Sequence, residues 1–540
     1  MNAMPSKMQT HTDVLIIGAG PTGLSMALEL AIQGISFRII NKDPERSTLS
    51  RALAIQPRTL EILNRHHRTS NVEELIATGM RSLKSSICVS GNKLADIDIN
   101  ALQSPGTKFR HIVFVPQHET ESWLETILAK YGVQVEMGVE AKSITQDTDG
   151  VSVAVSTKDG AEEEIRAKFV VGADGAHSVV RHAAKNLTFD GDAYPQEFAL
   201  ADAYMETQLP GGQVYICLGN GALVVFPIKD GMVRLTLSRP TQDNTQEPKL
   251  EDFQEAVQEL FPGGGSLHGA TWITRFRIHH RCANNYRDGR LFVAGDAAHI
   301  HSPAGGQGMN TGIQDATNLG WKLAAVLRGE KPESFLDSYH NERHPIGQTL
   351  LKSTDKAFTY VASSNLIYIF LRNLILPWIL PLLLRNQSRL RRLFGFTSQL
   401  RVRYRRSDIV GTAPGFAGPI KGGDRVFDGK IQGPEGEIWL LDLLSPECHH
   451  LLLFSGSGQN QASEGDLYRA ETDFLNNVTT AAKVSMIFSV EQKGQAGYVD
   501  LDGLHKTFGF NDAGYILVRP DGYIAHIGPL SAVAEATKWM

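Results

Sequence analysis

Asp296 is placed in this chain to accept hydrogen bonds from the hydroxyls of a ligand. It lies in residues 290–316, RLFVAGDAAHIHSPAGGQGMNTGIQDA, directly after the apolar run Leu291-Phe292-Val293-Ala294 and the turn residue Gly295. A loop with Pro303, Gly305, Gly306 and Gly308 follows, and from about Met309 and Asn310 the pattern turns helical. Such a loop aims backbone N–H groups and the positive end of a helix at one point. The chemistry it suits is the holding of an anion or an electron-rich ring with a polyol chain alongside. Taken alone, the stretch also reads as an ordinary strand–turn–helix connection.

A second signal lies near the start of the chain. Residues 13–17 (DVLII) form a short apolar run, GAGPTG follows at 18–23, and a helical pattern runs to about residue 33. This is the G-x-G-x-x-G fingerprint in a strand–turn–helix setting. Gly18 permits the tight turn, Gly20 lets the backbone approach a pyrophosphate, and Gly23 lets helix and strand pack. The next strand, 36–40, ends at Asn41, where a ribose-binding acid is expected. An amide still bonds a hydroxyl but brings no charge. A third strand ends at 169–175, FVVGADG, with Asp174 at the turn and Ser178 and Arg181 in the helix beyond. Arg51 and Gln117 lie near these turns; each suits either a cofactor contact or an ordinary structural role.

These turns need a parallel sheet to hold them, and buried parallel strands read as short continuous apolar runs. With 540 residues the chain is too long for one core. The boundaries expected are a nucleotide unit from 1–185 and 282–360, an inserted antiparallel sheet at 186–281, a helical segment at 361–410, a linker at 411–423 and a compact third unit at 424–540. Alternation puts Arg275 and Arg277 on one face of the inserted sheet, suited to an anion or to a solvated edge. A net charge of -5 gives no general attraction to nucleic acid. Cys88, Cys217, Cys282 and Cys448 are widely spaced without C-x-x-C, which argues against a disulfide framework or a zinc site and fits a reducing, cytoplasmic location. The first twelve residues are polar and lack a signal-peptide core. Residues 366–384 are apolar but interrupted by Arg372, Asn373, Pro377 and Pro381, and arginines follow to Arg406. A buried helix pair is the favoured reading of that segment; peripheral contact of 366–406 with a membrane surface is the other.

GAGPTG, VVGADGAHSVVR from Val170 and AGDAAHIHSPAGGQGMNTGIQDA from Ala294, in that order, resemble the group A FAD-dependent aromatic hydroxylases, in particular the branch of phenol, pentachlorophenol and polyketide hydroxylases. The resemblance covers nearly the whole chain. It implies a Rossmann-like α/β FAD-binding domain of the glutathione-reductase kind, an inserted antiparallel-sheet substrate domain and a C-terminal thioredoxin-like domain. It implies that Gly18, Gly20 and Gly23 line the FAD pyrophosphate, that Asn41 takes the ribose position, and that Arg51 and Gln117 contact the cofactor. Asp174 would serve both FAD and NAD(P)H, and Gly295 and Asp296 the ribityl and pyrophosphate region. Pro303 and the loop with Gly306, Gly308, Met309 and Asn310 would border the isoalloxazine ring, where the helix start would stabilise negative charge on the reduced ring. The implied reaction uses NADPH or NADH and O2 to hydroxylate a phenolic or polycyclic aromatic compound through a flavin C4a-hydroperoxide. Baeyer–Villiger oxidation, epoxidation or reduction on the same fold, and a binding protein without FAD, are the competing readings. The family's acid ahead of the helix at Arg58 is missing from Arg51-Ala52-Leu53-Ala54-Ile55, so no catalytic base is named. The third unit lacks C-x-x-C, which leaves it a packing or homodimer role.

Overall fold

The computed structural model describes residues 9–540 apart from 51, 100–101, 103–105, 208, 220, 239–246, 302–304, 363–369 and 493–496. Arg51, Pro303 and part of the 366–384 run therefore lie outside the described residues.

The first sheet is built from the apolar runs noted above. Its central order is Arg287–Asp288, Leu291–Val293, Glu162–Gly172, Gln9–Ile17, Phe37–Asn41 and Glu136–Met137. Gln9–Ile17 pairs in parallel with both Glu162–Gly172 and Phe37–Asn41, and Leu291–Val293 pairs in parallel with Glu162–Gly172. Val14, Leu15, Ile16, Val170, Val171, Phe292 and Val293 are fully buried. That is the burial a strand covered on both faces requires. Helices Pro21–Ile32 and Gly308–Leu327 pack together on one side. Glycines set their approach: a Cβ at Gly312 would run into the Thr22 hydroxyl, and one at Gly320 would lie 2.5 Å from Glu29 Cβ.

The second sheet runs His299–Ile300, Leu267–Ala283, Phe189–Met205, Met232–Ser238, Ala222–Pro227, Val214–Leu218, Lys84–Val89 and Asn92–Asp98. It is larger than the expected insertion at 186–281, because Lys84–Val89 and Asn92–Asp98 join its edge. It is also mixed, since Val214–Leu218 lies parallel to Lys84–Val89. Strand alternation sorts its two faces. Ala201, Ala203, Leu223, Val225, Val233 and Leu235 pack with Phe253, Ala256 and Val257 of helix Leu250–Leu260. The opposite face carries Val214, Ile216, Val224 and Phe226, which cluster with Leu53, Ala54 and Phe114 of the nucleotide unit.

The third sheet has the order Gly411–Thr412, Ile524–Pro529, Gly514–Val518, His449–Phe454, Ala482–Phe488, Tyr498–Asp500, Lys430–Gly433 and Gly436–Trp439. Helix Glu464–Leu475 and the 3-10 stretch Leu530–Trp539 cover one face. The expected linker is in part structural: Gly411–Thr412 forms the sheet edge, and Thr412 Oγ1 accepts from Gly422 N at 3.0 Å. Residues 519–522, between the last two strands, reach back into the nucleotide unit, where Arg519 meets Glu342. The favoured reading of 366–384 as a buried helix pair is corrected: in helix Leu376–Leu384, Trp378 is 78 % exposed. Among the described residues no helix is long and apolar enough to cross a membrane.

Candidate functional site

Strand register brings the three sequence signals to one edge. Ile17 lies opposite Gly172, and Gly172 opposite Val293. Each strand then hands its turn to its neighbour: Gly18 N donates to Ile40 O at 2.9 Å, Ala173 N to Ile17 O at 2.8 Å, and Ala294 N to Gly172 O at 2.9 Å. The carboxyl ends of parallel strands therefore present GAGPTG, GADG and AGDA side by side, the usual place for a ligand in an open α/β sheet.

The first turn has the stereochemistry of a phosphate cradle. Gly18 has φ +104°, and a Cβ there would collide with the Ala173 carbonyl. A Cβ at Gly23 would collide with Gly18 O. Gly20 differs, since a Cβ there meets only Glu121 Oε1 at 4.0 Å, so the protein itself does not require glycine. Helix Pro21–Ile32 starts at Gly20 with no side-chain cap, which leaves its positive end for an anion. Arg46, which the sequence reading did not single out, braces this turn: Nη1 donates to Ala19 O at 3.1 Å and to Glu121 Oε2 at 2.8 Å, and Glu125 takes the rest of the guanidinium.

Asn41 ends its strand half-buried, and its Nδ2 has only long contacts, 3.5 Å to Asp43 O and 3.8 Å to Met137 Sδ. Gln117 is the first residue of helix Gln117–Lys130. Its Oε1 accepts from Ala52 N at 3.0 Å and its Nε2 donates to Glu121 Oε1 at 2.8 Å. Its side chain thus holds the segment after residue 51 against the helix. One oxygen of Asp174 is engaged in a similar way: Oδ2 accepts from Val179 N at 2.7 Å and caps helix Val179–Ala183 together with Ser178, while Oδ1 is buried without a hydrogen-bond partner among the described residues. Burial raises the Asp174 pKa above the usual carboxyl value. Arg181 of that helix donates to Ala297 O and Ala176 O, both at 2.7 Å, and stacks 3.9 Å from the Phe189 ring centroid. It ties the second turn to the third.

In the third turn Asp296 is exposed between the buried Gly295 and Ala297, so its carboxylate stands at the rim of the sheet edge. Gly295, at φ +60°, donates N–H to Asp315 Oδ2 at 3.0 Å. Asp315 is fully buried and also meets His299 Nε2 at 2.8 Å and Arg343 Nε at 2.6 Å. Burial opposes its charge, but Arg343 and His299 hold the carboxyl below the usual range. This triad was not recognised from sequence, although Asp315 lies in the GIQDA run at 312–316.

The glycine loop is clamped to the first unit. Gln56 Nε2 donates to Gly305 O at 2.9 Å, and Asn310 Nδ2 donates to Ala54 O at 2.8 Å and to Gly306 O at 2.7 Å. Asn310 Oδ1 accepts from Gln56 N at 2.8 Å, so the Asn310 side chain, expected to border a ligand, is committed within the protein. Gly306, at φ +60°, would place a Cβ 2.7 Å from Ala54 Cβ. Gly308 opens helix Gly308–Leu327, which has no side-chain cap, and Met309 packs on the nucleotide core. Ala54, against which Gly306 lies, clusters with Phe114 and Phe226, whose rings meet edge-to-face at 5.4 Å. One strand further over, Arg234 and Asp202 form a buried bidentate pair, 2.8 and 2.7 Å, with Trp272 5.5 Å from the guanidinium. Arg275 and Arg277 do share a face, but both are paired with Glu197, at 3.2 and 2.8 Å. Among the described residues no cluster of His, Cys, Asp and Glu could hold a metal ion.

Glycine cradles that a Cβ would fill, two uncapped helix starts and an exposed acid at the strand ends fit a dinucleotide such as FAD. The family model described as "FAD binding domain" matches residues 11–354. The chain is 32% identical to 6-methylpretetramide 4-monooxygenase of Streptomyces rimosus, over 97% of this chain and 92% of that protein. It is 35% identical to pentachlorophenol 4-monooxygenase of Sphingobium chlorophenolicum, over 63% of each. Among solved structures, CabE, an aromatic hydroxylase from angucycline biosynthesis, superposes with a TM-score of 0.72 at 29% identity over 96% of both chains. PieE, a flavin-dependent monooxygenase solved with FAD and substrate, shares the fold with a TM-score of 0.81 over 98% of both chains, at 21% identity. With its three turns at one sheet edge and these relatives, the chain belongs to the FAD-binding family of flavin-dependent aromatic monooxygenases.

Proposed function

We propose that this monooxygenase uses NADPH or NADH and O2 to hydroxylate a bulky phenolic or polycyclic aromatic compound. The observation that carries the reading is the pairing of the FAD-type strand edge with an apolar sheet face, joined where Gly306 abuts Ala54 and Ala54 packs with Val224 and Phe226. Bound FAD supplies the hydride-accepting and oxygen-activating chemistry. Gly18, Gly20 and Gly23 hold the pyrophosphate, Asn41 the adenosine ribose, and Gly295 and Asp296 the ribityl side. Gly306, Gly308 and Met309 border the ring by backbone and packing, and Pro303 and Arg51 complete the expected set. The uncapped start of the 308–327 helix would set a positive end beside the bound ring and stabilise negative charge there. The apolar side chains of the second sheet orient an aromatic substrate and keep water from the reacting centre.

We assign the C-terminal unit a thioredoxin-like fold without thiol chemistry. Its mixed sheet with a helix on one face supports the fold, and Cys448 is its lone cysteine. Packing against the nucleotide unit, or pairing in a homodimer, is its role. We keep the division expected from sequence as a working map, with 84–98 and 299–300 added to the substrate-side sheet and 411–412 to the C-terminal one.

The test is NADPH and NADH oxidation in air by the flavin-loaded protein against phenols, naphthoquinones and quinolones, with peroxide counted and products formed under labelled O2. One compound should accelerate oxidation with little peroxide and carry one labelled oxygen. Turnover without label in the product, or no acceleration by any electron-rich aromatic compound, would overturn the reading.

A further inference from the structure

The segment after the nucleotide unit exposes an apolar stripe. Phe370, Leu374, Trp378 and Leu382 recur every fourth residue and are 56, 56, 78 and 61 % exposed, with Ile375 and Ile379 beside them at 37 and 44 %. From Leu374 on they lie in the π-helical turn Leu371–Ile375 and helix Leu376–Leu384, with Phe370 just ahead. A soluble chain seldom leaves so many large apolar side chains together in water unless the patch meets something. The stripe is not the unused side of an undocked segment. In the next helix, Gln387–Thr397, Phe394 and Leu390 pack inward with Ile99 and Leu102, which fixes the segment to the body and leaves Leu393 and Phe396 exposed.

Charge chooses the occupant. No aspartate or glutamate lies between Asp355 and Asp408, although the chain as a whole carries a net charge of -5. Arg385, Arg389, Arg391 and Arg392 are exposed along the same segment, whereas Arg403 and Arg405 are taken by Asp424. We propose that this helix pair is a docking surface for an anionic phospholipid membrane, with Trp378 and Leu382 entering the interface and the arginines meeting lipid phosphates. An exposed tryptophan, an aliphatic stripe and flanking arginines are what an interfacial helix needs. A second copy of the chain suits the surface less well. Two-fold symmetry would set the arginine cluster against itself. Helix Leu376–Leu384 lies beside Asn92–Asp98, the outer strand of the substrate-side sheet. A lipophilic aromatic compound dissolved in the bilayer is thereby brought next to that sheet. This last step rests on the hydroxylase reading; the docking does not.

The test is co-sedimentation of the flavin-loaded full chain with phosphatidylcholine vesicles, with and without phosphatidylglycerol, at low and high salt. Binding to the anionic vesicles that salt weakens is expected. Trp378→Glu should abolish it, and the double variant R391E/R392E should weaken it about tenfold or more, both with unchanged bound flavin as the check on folding. Protein left in the supernatant with anionic vesicles would overturn the proposal. So would equal binding to neutral vesicles indifferent to R391E/R392E. Concentration-dependent self-association that Trp378→Glu removes, without vesicle binding, would assign the face to a second copy instead. None of these readouts uses turnover, so a failure of the hydroxylase reading would be seen separately in the oxidation assay.

Discussion

Arg519, between the last two strands, grips Glu342 with both ends of its guanidinium, Nη1 to Oε1 at 2.6 Å and Nη2 to Oε2 at 2.9 Å. Glu342 Oε2 also accepts from Lys322 Nζ at 2.8 Å and Asn318 Nδ2 at 2.6 Å, and Asp521 completes the cluster on Arg519. Lys322 and Asn318 belong to helix Gly308–Leu327, whose other end begins at the glycine loop. The C-terminal unit is therefore bolted to the helix whose start is proposed to border the flavin.

Removing Arg519 takes the counter-charge from Asp521 and leaves Glu342 with Lys322 as its cation. Every member of the cluster is buried, and breaking such a pair costs about 3–5 kcal/mol, more than the pair itself is worth. Arg519→Met should lower the thermal midpoint strongly and release flavin at a lower temperature than the parent. Unfolding followed by flavin fluorescence checks this, and an unchanged midpoint would show that the two units stand independently.

Gly20 and Gly23 separate folding from cofactor binding. Gly23→Ala forces a methyl into the Gly18 carbonyl, so the turn itself must move and folding should suffer. Gly20→Ala meets no protein atom closer than 4.0 Å. The Gly20 variant should melt like the parent as apoprotein yet bind FAD about tenfold or more weaker, a loss of about 1.4 kcal/mol or more. Titration of both apoproteins with FAD decides it. Equal affinity in Gly20→Ala and parent would remove the pyrophosphate from this turn.

The reach and the limit of the sequence reading have one physical cause. Fully buried parallel strands must be apolar throughout, so DVLII, FVV and LFVA were readable, and each turn follows its strand directly. The residues that hold the turns in place are not local. Asp315 reaches back 20 residues to Gly295 N and forward 28 to Arg343. Lys84–Val89 joins the second sheet from more than a hundred residues away, a pairing that no local pattern announces. Asn310 carries the expected residue type at the expected place, but folding spends its side chain on Ala54, Gly306 and Gln56, and one oxygen of Asp174 goes to Val179 N. Trp378 stands exposed in the 366–384 run expected to be buried, because apolar composition signals burial without saying against what.

Asp202 and Arg234 lie on the same sheet face as Phe226, with Trp272 at hand. Asp202→Asn alone leaves a buried guanidinium without its counter-charge and should destabilise. The double variant Asp202→Asn with Arg234→Gln is neutral and should recover part of the loss, with a coupling of roughly 0.5–3 kcal/mol in the double-mutant cycle. Additive losses would mean that the pair does not act as a unit. Comparison of KM for phenolic and O-methylated substrates in the same variants would then tell whether the row also senses a substrate oxygen.

Asp428 gives the stability of the third unit a pH dependence. Its Oδ1 accepts from Gly429 N at 3.1 Å and Leu441 N at 3.0 Å, yet burial pushes its pKa up to about 7. In the unfolded chain the carboxyl titrates at about 3.9. Between these values the folded state keeps a proton that the unfolded state has released. The contribution is therefore complete below about pH 4 and is lost as pH rises to about 7. About three decades of proton affinity, each worth about 1.4 kcal/mol, set a ceiling of about 4 kcal/mol. Asp428→Asn keeps the acceptor oxygen and removes the charge. It should melt higher than the parent at pH 8 and close to it at pH 4, with the gap opening steadily from about pH 4 to pH 7. A melting difference that stays flat across this range would mean that Asp428 is ionised in the folded protein throughout.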